Sequence, residues 1–441
     1  MDIIIKILQV VLALSILVLV HEFGHFFFAR LFKIKVEKFY LFFDPWFSLF
    51  KFKPKNSDTE YGIGWLPLGG YCKISGMIDE SMDKEAMQLP PQPWEFRSKP
   101  AWQRFFVMFG GVFFNFILAI LIYSATLFTW GEEYLKNEDA IYGVQCNDLA
   151  KEIGFENGDK IVSFDGEKIE KFHELQMIMA RNQAKSAEVI RRDSSLSVSI
   201  DPVYIPAVLN TPGMFSLRAP FQILAVSDSS LNIGAGLMPG DRIIAIDSTE
   251  VSVVQDIQPL LKEHKGDTIS VTIQRGEERL AKTLIVDSAG MIGVAIDGDV
   301  RKFFNVTTEK YSVIAAVPAG ANKAVSTIKN YLKELKLIFS PKTEAYKSVG
   351  SFIAIGNIFP SSWDWHIFWN LTAWLSIMLA VVNLLPIPAL DGGHILFLIY
   401  EIVTRRKPSD KVLEYAQVAG MIILFAIMFL AFGNDIYRLF K

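Results

Sequence analysis

Four long apolar segments constrain the fold of this chain more than any other feature of its sequence. They lie at residues 3–32, 105–130, 365–390 and 415–434. A transmembrane helix needs about 20 mostly apolar residues, so each segment is long enough to cross a bilayer. The mean hydropathy of +0.29 fits a chain that combines such segments with water-exposed domains. We therefore predict a polytopic α-helical membrane protein with four transmembrane helices.

The first apolar segment contains ionisable side chains, which a simple membrane anchor does not need. His21, Glu22 and His25 lie inside it. It lacks the short apolar core and small-residue cleavage site of a removable signal peptide. Ionisable residues inside a bilayer are unfavourable and usually functional. We therefore interpret this segment as a permanent span that carries part of a functional site.

Lysine and arginine are concentrated in the loops at one end of the spans. They follow the first span, precede the second and lie between the third and fourth. The positive-inside rule predicts that these loops are cytoplasmic, with both termini and the long central region on the opposite side. Arg438 and Lys441 oppose this orientation weakly. The basic residues are Arg30, Lys33, Lys35, Lys38, Lys51, Lys53, Lys55, Arg97, Lys99, Arg104, Arg405, Arg406 and Lys407.

Charge and cysteine content exclude some other classes of protein. The net charge of −3 gives no indication of a nucleic-acid partner, and the lipid bilayer is the partner that the composition indicates. Cys72 and Cys146 are too few for a disulfide framework, and neither lies in a metal-type cluster.

A metal-binding pattern lies inside the first span. His21-Glu22-Phe23-Gly24-His25 has the form H-E-x-x-H. On a helix, residues i and i+4 share a face, so both imidazoles can reach one ion. Glu22 is placed to take a proton from a water molecule beside that ion. The alternative is a structural cluster of hydrogen-bonded polar side chains between helices. It does not explain why three ionisable groups lie in one span, where they are energetically unfavourable.

A catalytic zinc ion needs a third protein ligand and an open position. The segment NLLPIPALDGG at residues 383–393 provides the best candidate, Asp391. Its two prolines end or kink the third span, so we expect a loop at the cytoplasmic edge and a new helix from Asp391. His394 is a rival ligand, for which we favour a structural or supporting role.

The central region, about residues 131–345, contains an internal repeat. GDKIVSFD at 158–165 recurs as GDRIIAID at 240–247. In both copies a Gly-Asp turn leads into an alternating strand, a helical stretch and two more strands. The copies resemble tandem PDZ domains, although Ser248 in the second copy replaces Gly166 of the first. Such domains bind extended peptides at a sheet edge, and a scaffold that blocks or measures access is the alternative.

Residues 318–346 have apolar side chains at helical spacing among several lysines. Ile328, Leu332, Leu335 and Ile338 form the apolar stripe. This pattern predicts an amphipathic helix that lies on the membrane or across the domain above it, with an ordinary surface helix as the alternative.

The combination of these motifs resembles the site-2 protease family of intramembrane zinc metalloproteases, RseP type. The resemblance implies Zn²⁺ bound by His21, His25 and Asp391, with Glu22 as the general base. It implies that Asn383 holds the substrate backbone or stabilises an oxyanion. It also implies a multi-pass protein of the bacterial inner membrane, with the active site towards the cytoplasm and the PDZ domains in the periplasm. The implied substrates are single-pass proteins such as trimmed anti-sigma factors, and signal-peptide remnants.

Two shorter stretches extend the resemblance. Residues 59–74 are similar to the membrane-re-entrant β-hairpin of the family, which implies a substrate-clamping edge and substrate-binding roles for Gly62, Ile63 and Gly64. An ordinary hairpin is the alternative. Residues 110–115 resemble a G-P-x-x-N motif in which Val112 stands where proline is usual. Asn115 then either binds substrate or packs between helices.

Two other classes of protein use similar features. A transporter or a metal- or proton-binding receptor could use the His/Glu cluster without hydrolysis, but four spans without an inverted repeat argue against it. A non-catalytic PDZ scaffold would give Glu22 no role. The domains that we predict are a membrane domain at 1–130, PDZ-like α+β domains at 131–219 and 220–300, an amphipathic linker region at 301–363 and a second membrane domain at 364–441.

Overall fold

The structure, a computed structural model, describes residues 2–67, 69–77 and 90–440. Its helices are α1 (Asp2–Leu31), α2 (Ala101–Thr129), α3 (Asp148–Ile153), α4 (Leu175–Asn182), α5 (Ile205–Asn210), α6 (Val254–Glu263), α7 (Val313–Ile338), α8 (Phe352–Ile358), α9 (Trp365–Asn383), α10 (Asp391–Thr404) and α11 (Asp410–Leu439). Its strands are β1 (Val36–Leu41), β2 (Phe43–Phe52), β3 (Glu60–Leu66), β4 (Tyr71–Ile74), β5 (Glu132–Leu135), β6 (Val144–Cys146), β7 (Lys160–Phe164), β8 (Glu167–Lys168), β9 (Ser186–Arg191), β10 (Ser194–Ser199), β11 (Phe215–Leu217), β12 (Ile223–Val226), β13 (Arg242–Ile246), β14 (Thr249–Glu250), β15 (Thr268–Arg275), β16 (Glu278–Ile285), β17 (Val294–Ile296) and β18 (Val306–Glu309).

The chain forms two compact units. The helical unit contains Met1–Gly131, Lys310–Phe339 and Tyr346–Lys441. The second unit contains Glu132–Glu309 and Ser340–Ala345.

Among the residues that the structure describes, the helical unit contains four helices that are long and apolar enough to cross a membrane, namely α1, α2, α9 and α11. They fit the predicted polytopic membrane protein. The third ends at Asn383 and not at residue 390, because Pro386 and Pro388 follow and proline cannot continue a helix. The fourth begins at Asp410, earlier than its apolar sequence begins.

Helices α1 and α2 touch through backbone atoms at a pair of glycines. A Cβ atom on Gly24 would lie 2.2 Å from the carbonyl oxygen of Gly110, and one on Gly110 would lie 2.4 Å from that of Gly24. Small residues allow this close approach of membrane helices. The contact fixes the distance between α1, which carries H-E-x-x-H, and α2.

Helix α7 packs on two of the membrane-spanning helices. It covers residues 313–338, whereas the sequence pattern predicted a helix at 318–346. A Cβ atom on Gly320 would lie 2.3 Å from Ser124 Oγ on α2, so this contact is tight. Ile328 and Leu335 of the predicted apolar stripe therefore lie against α2 and α9, whereas Leu332 is 51% exposed. The residues of α7 in this contact are Gly320, Ala324, Ile328, Tyr331 and Leu335.

Strands β1 to β4 of the helical unit form one mixed sheet in the order β2-β3-β1-β4. Strand β1 pairs with β3 in parallel and with β4 in antiparallel orientation. The predicted hairpin at residues 59–74 is therefore wrong, because β3 and β4 lie on opposite sides of β1 and do not pair. Leu68, between these two strands, lies outside the described residues. Strand β4 is at one end of the sheet, and β3 is in its interior.

The second unit contains two copies of the same sheet. The first has the order β10-β9-β7-β8 and the second has the equivalent order β16-β15-β13-β14. Each is accompanied by a two-stranded ladder, β6 with β11 and β12 with β17. The repeated sequence thus forms a repeated topology, and the identification of each copy as a PDZ domain stays a prediction.

Each copy contains the same buried ion pair. Arg191 binds Asp159 through two hydrogen bonds of 2.8 Å, and Arg275 binds Asp241 through two of 2.7 Å. Both carboxylates are fully buried. Burial raises the pKa of Asp241, but the hydrogen bonds from Arg275 outweigh this and leave that pKa below its ordinary value. The charged pair therefore holds each turn to its sheet at neutral pH.

Replacing Arg275 by Met should destabilise the second copy at pH 7, because it leaves the buried carboxylate of Asp241 without its charged partner. Since the pKa of Asp241 is lowered in the native protein, the pair stabilises at neutral pH and this contribution is lost as the pH falls below the ordinary value of 3.8. Urea-dependent proteolysis of the full chain measures the effect. The exposed Arg279→Met is the control, and equal loss in both variants would contradict the assignment.

Candidate metal centre

His21 and His25 lie one turn apart on α1 and are buried. Their Nε2 atoms are 3.3 Å apart. The Nδ1 atom of His25 lies 2.8 Å from the carbonyl oxygen of Val107 on α2, to which it can only donate. A proton on Nδ1 leaves the lone pair of Nε2 free, so this contact prepares His25 to bind a metal ion through Nε2.

Asp391 reaches the two histidines from the far end of the sequence. It begins α10, after the proline-containing loop, as the sequence predicted. Its Oδ2 atom lies 3.2 Å from His21 Nε2 and 3.4 Å from His25 Nε2. This buried oxygen makes no hydrogen bond of satisfactory geometry with the described residues. The carboxylate is thus aimed at the point that both imidazoles face.

The spacing of these three atoms fits a zinc ion. Ligands at about 2.0–2.1 Å from a tetrahedral ion are separated from one another by about 3.3–3.4 Å. The three observed separations are 3.2, 3.3 and 3.4 Å. Within the described part of the chain, His21, His25 and Asp391 are the group of three His, Cys, Asp or Glu side chains that could hold a metal ion. His394 lies in the wall of the adjoining cavity and not in this group.

Asn115 is fully buried and contacts His21. Its Nδ2 atom lies 3.2 Å from His21 Nδ1, whereas its Oδ1 atom is buried without a partner among the described residues. If His21 gives Nε2 to a metal ion, its Nδ1 carries the proton and must donate it. With its amide turned by half a rotation, Asn115 would place Oδ1 there to accept this proton, and Nδ2 would take the enclosed position of Oδ1. Asn115 thus contacts His21 across α1 and α2 as Val107 contacts His25, and substrate binding by Asn115 stays a prediction.

Gly111 provides space for the imidazoles. A Cβ atom at this position would lie 2.6 Å from both His21 Cε1 and His25 Nε2. Sequence reasoning noted this glycine as part of the segment at 110–115 but gave it no role. In the sequence, the only indication of this role was a glycine inside the second span.

Glu22 and Asn383 line a cavity of about 580 Å³ that adjoins the three ligands. The Nδ2 atom of Asn383 is 3.4 Å from His21 Nε2. Both residues are thus next to the position that a metal ion would occupy. The cavity is lined by His21, Glu22, His25, Lys38, Phe43, Gly70, Tyr71, Cys72, Lys73, Ile74, Met77, Met108, Asn383, Ala389, Leu390, Asp391, His394 and Gln417.

Gly62, Ile63 and Gly64 do not line this cavity. They lie in β3, which pairs with β1 on one side and β2 on the other, so no edge is free there for a substrate. A Cβ atom would lie 2.3 Å from the Tyr40 ring at Gly62 and 2.1 Å from the Phe43 carbonyl oxygen at Gly64. These glycines allow close packing of the sheet. All four residues of β4 line the cavity, together with Lys38 of β1 and Phe43 of β2.

Comparison with known proteins agrees with this geometry. The sequence pattern of peptidase family M50 matches residues 9–427. The chain belongs to peptidase family M50.

Relatives resemble this M50 peptidase over nearly their whole length. A protein of Xylella fastidiosa, named as a zinc metalloprotease, is 29% identical over 460 residues. The alignment covers 99% of this chain and 99% of that protein. A Vibrio cholerae protein with the same kind of name is 28% identical over 467 residues, covering 99% of this chain and 100% of its own. The regulator of sigma E protease of Haemophilus influenzae is 27% identical over 458 residues, covering 97% of this chain and 98% of its own.

The M50 peptidase is therefore a zinc metalloprotease of the site-2 protease family and is similar to RseP. Its His-His-Asp group supplies a donor set that suits zinc. The transporter or receptor that we kept as an alternative is not favoured.

Asp391→Asn should lower zinc retention markedly, because the amide removes the negative charge that faces both histidines. His394→Ala should retain zinc, since His394 lies outside the group of ligands. The measurement is zinc stoichiometry by atomic emission after dialysis of each purified variant. If His394→Ala lost zinc and Asp391→Asn retained it fully, His394 and not Asp391 would be the third ligand.

Proposed function

We propose that this protein hydrolyses peptide bonds of single-pass membrane proteins within or beside the bilayer. The observation that carries the proposal is the position of the His21-His25-Asp391 group among membrane-spanning helices, beside a cavity that also contains Glu22 and Asn383. A helical substrate must unwind locally there, because a helix hides its carbonyl groups in internal hydrogen bonds.

Each residue at the site has a separate task in this proposal. His21, His25 and Asp391 would hold zinc, which polarises a peptide carbonyl and makes water more acidic. Glu22 takes the proton of the attacking water and returns it to the leaving amine. Asn383 donates its amide N–H to the oxygen on which negative charge develops. Val107 and Asn115 keep both imidazoles in the protonation state that leaves Nε2 free.

Strand β4 is the edge that would hold the substrate. It pairs with β1 on one side only, and no other described strand pairs with it. Its residues Tyr71 to Ile74 line the cavity, as do Gly70 just before it and the Glu22 side chain. A peptide added to this edge would be extended and close to the catalytic groups. The predicted clamping role thus moves from Gly62, Ile63 and Gly64 to β4.

The distribution of basic residues supports an orientation for this reaction. It supports an active site on the cytoplasmic side and a second unit on the opposite side, which for a bacterial inner membrane is the periplasm. The name of the Haemophilus influenzae relative supports substrates of the anti-sigma factor type. Signal-peptide remnants share the single-span chemistry and are further candidate substrates.

The two repeated sheets of the second unit would control access to the membrane site. We assign them as PDZ-like domains at residues 131–219 and 220–300, followed by the linker region at 301–363, on the basis of their shared topology. Acting as a size filter, they would exclude substrates that still have large periplasmic domains.

Glu22→Gln should abolish cleavage and leave zinc bound, because the amide cannot accept a proton and the three ligands are unchanged. Loss of a general base lowers the rate by about 10²- to 10⁴-fold. Cleavage of a model transmembrane substrate and zinc content are measured on the same preparation, with the exposed Glu138→Gln as the control. Cleavage by Glu22→Gln at the native rate would refute its role.

Deleting residues 140–300 should extend cleavage to substrates with large periplasmic domains while the chemistry survives. Leu135 and Val306 are paired across the ends of this region, so a short linker can close the gap. Trimmed and untrimmed forms of one substrate are compared with the intact and the deleted enzyme. Peptide capture predicts the opposite result, slower cleavage of every substrate, and equal rejection of the untrimmed form by both enzymes argues against a filter.

A further inference from the structure

Gln417 is a buried amide side chain that faces the active-site cavity from the fourth membrane-spanning helix. It lies on α11, is 6% exposed and forms part of the cavity wall with Glu22 and Asn383. Its amide has no hydrogen-bond partner among the described residues. Its amide atoms are not among the fully enclosed unpaired atoms of the described residues, so they reach the cavity, where water or a ligand can pair with them.

The position of Gln417 is fixed by a close contact between α11 and the loop before Asp391. A Cβ atom on Gly420 would lie 2.5 Å from the backbone nitrogen of Ala389 and 3.1 Å from that of Pro388. Gly420 and Gln417 are one helical turn apart, so they share a face of α11. The contact that brings α11 to the loop therefore also brings Gln417 to the wall of the cavity that Asp391 lines.

A substrate strand paired with β4 has a second edge that β4 cannot reach. Both edges of an extended peptide carry N–H and C=O groups, and these need partners when they are buried. Inside a cavity among membrane-spanning helices, the partners have to come from the protein or from trapped water. A primary amide has a donor and an acceptor side by side, which matches the N–H and C=O groups of a peptide.

We propose that Gln417 binds a backbone peptide group of the substrate on the edge that faces away from β4. The inference rests on the proposed proteolytic function and on the addition of substrate to β4. It gives the fourth span a direct part in substrate binding. It also makes recognition at this position a matter of backbone geometry, so substrates of different sequence can satisfy it once they are extended.

The test uses a series of single-span peptide substrates, each with one N-methyl group on a successive backbone nitrogen around the cut site. Each N-methyl group removes one donor, so kcat/KM for the series maps which nitrogens the enzyme binds. The full-length native protein is compared with Gln417→Met, which keeps the length of the side chain and removes both hydrogen-bonding groups. Zinc content and thermal unfolding are measured for each preparation.

We expect Gln417→Met to lower kcat/KM for the unmodified substrate about 10-fold, which corresponds to one hydrogen bond. We also expect it to remove the N-methyl penalty at one nitrogen only, and to leave the penalties at nitrogens that face β4. The matched control is Gln9→Met, which removes a fully buried amide on α1 that donates to the Pro360 carbonyl at 2.8 Å. The control should keep the native pattern of penalties.

If Gln417→Met retains every N-methyl penalty of the native protein, the inference about Gln417 is overturned. Penalties at alternate nitrogens would in that case still support the addition of substrate to β4. If the native protein cleaves the series without alternate penalties, strand addition fails and the inference fails with it. If the native protein cleaves no substrate and the zinc is present, the proposed function itself is overturned.

Discussion

The backbone contact between α1 and α2 is the constraint on which the metal centre depends. Gly24 and Gly110 bring the two helix backbones together, and Gly111 leaves the space that the imidazoles occupy. A wider separation would move the carbonyl oxygen of Val107 and the amide of Asn115 away from the histidines that they hold. The ligand geometry is thus decided largely by residues without side chains.

Hydrogen bonding completes the arrangement that packing begins. The Nδ1 atom of His25 faces the Val107 carbonyl oxygen and that of His21 faces the Asn115 amide, so both imidazoles present Nε2 to the point that Asp391 faces. These groups are buried among membrane-spanning helices, where water does not correct a misplaced polar group. The same reasoning leads to Gln417, whose buried amide lacks a partner among the described residues until an extended substrate provides one.

The features that could be predicted from the sequence are those with a local signal. Apolar length gave the spans, the i, i+4 spacing gave the histidine pair, and two prolines located the start of the helix at Asp391. The sheet could not be predicted in the same way, because β1 pairs with β3 in parallel and with β4 on its other side. Such pairing depends on contacts between separate segments, and periodicity alone does not fix it.

The differences at single residues have the same origin. The roles of Gly62 and Gly64 came from the resemblance of residues 59–74 to a hairpin, whereas Tyr40 and Phe43 occupy the space beside these glycines in the folded sheet. Asn115 was expected either to bind substrate or to pack between helices, and only the crossing of α1 and α2 brings it to His21.

Both histidines lie on the first of the two N-terminal spans, whereas Asp391 begins the helix between the two C-terminal spans, and this separation has a thermodynamic consequence. An ion held by all three joins segments from opposite ends of the chain, as a covalent cross-link would, and binds only when both pairs of spans have assembled. Its binding free energy is then added to the stability of that assembly. Losing the ion would therefore loosen the association of the two halves of the helical unit as well as ending catalysis.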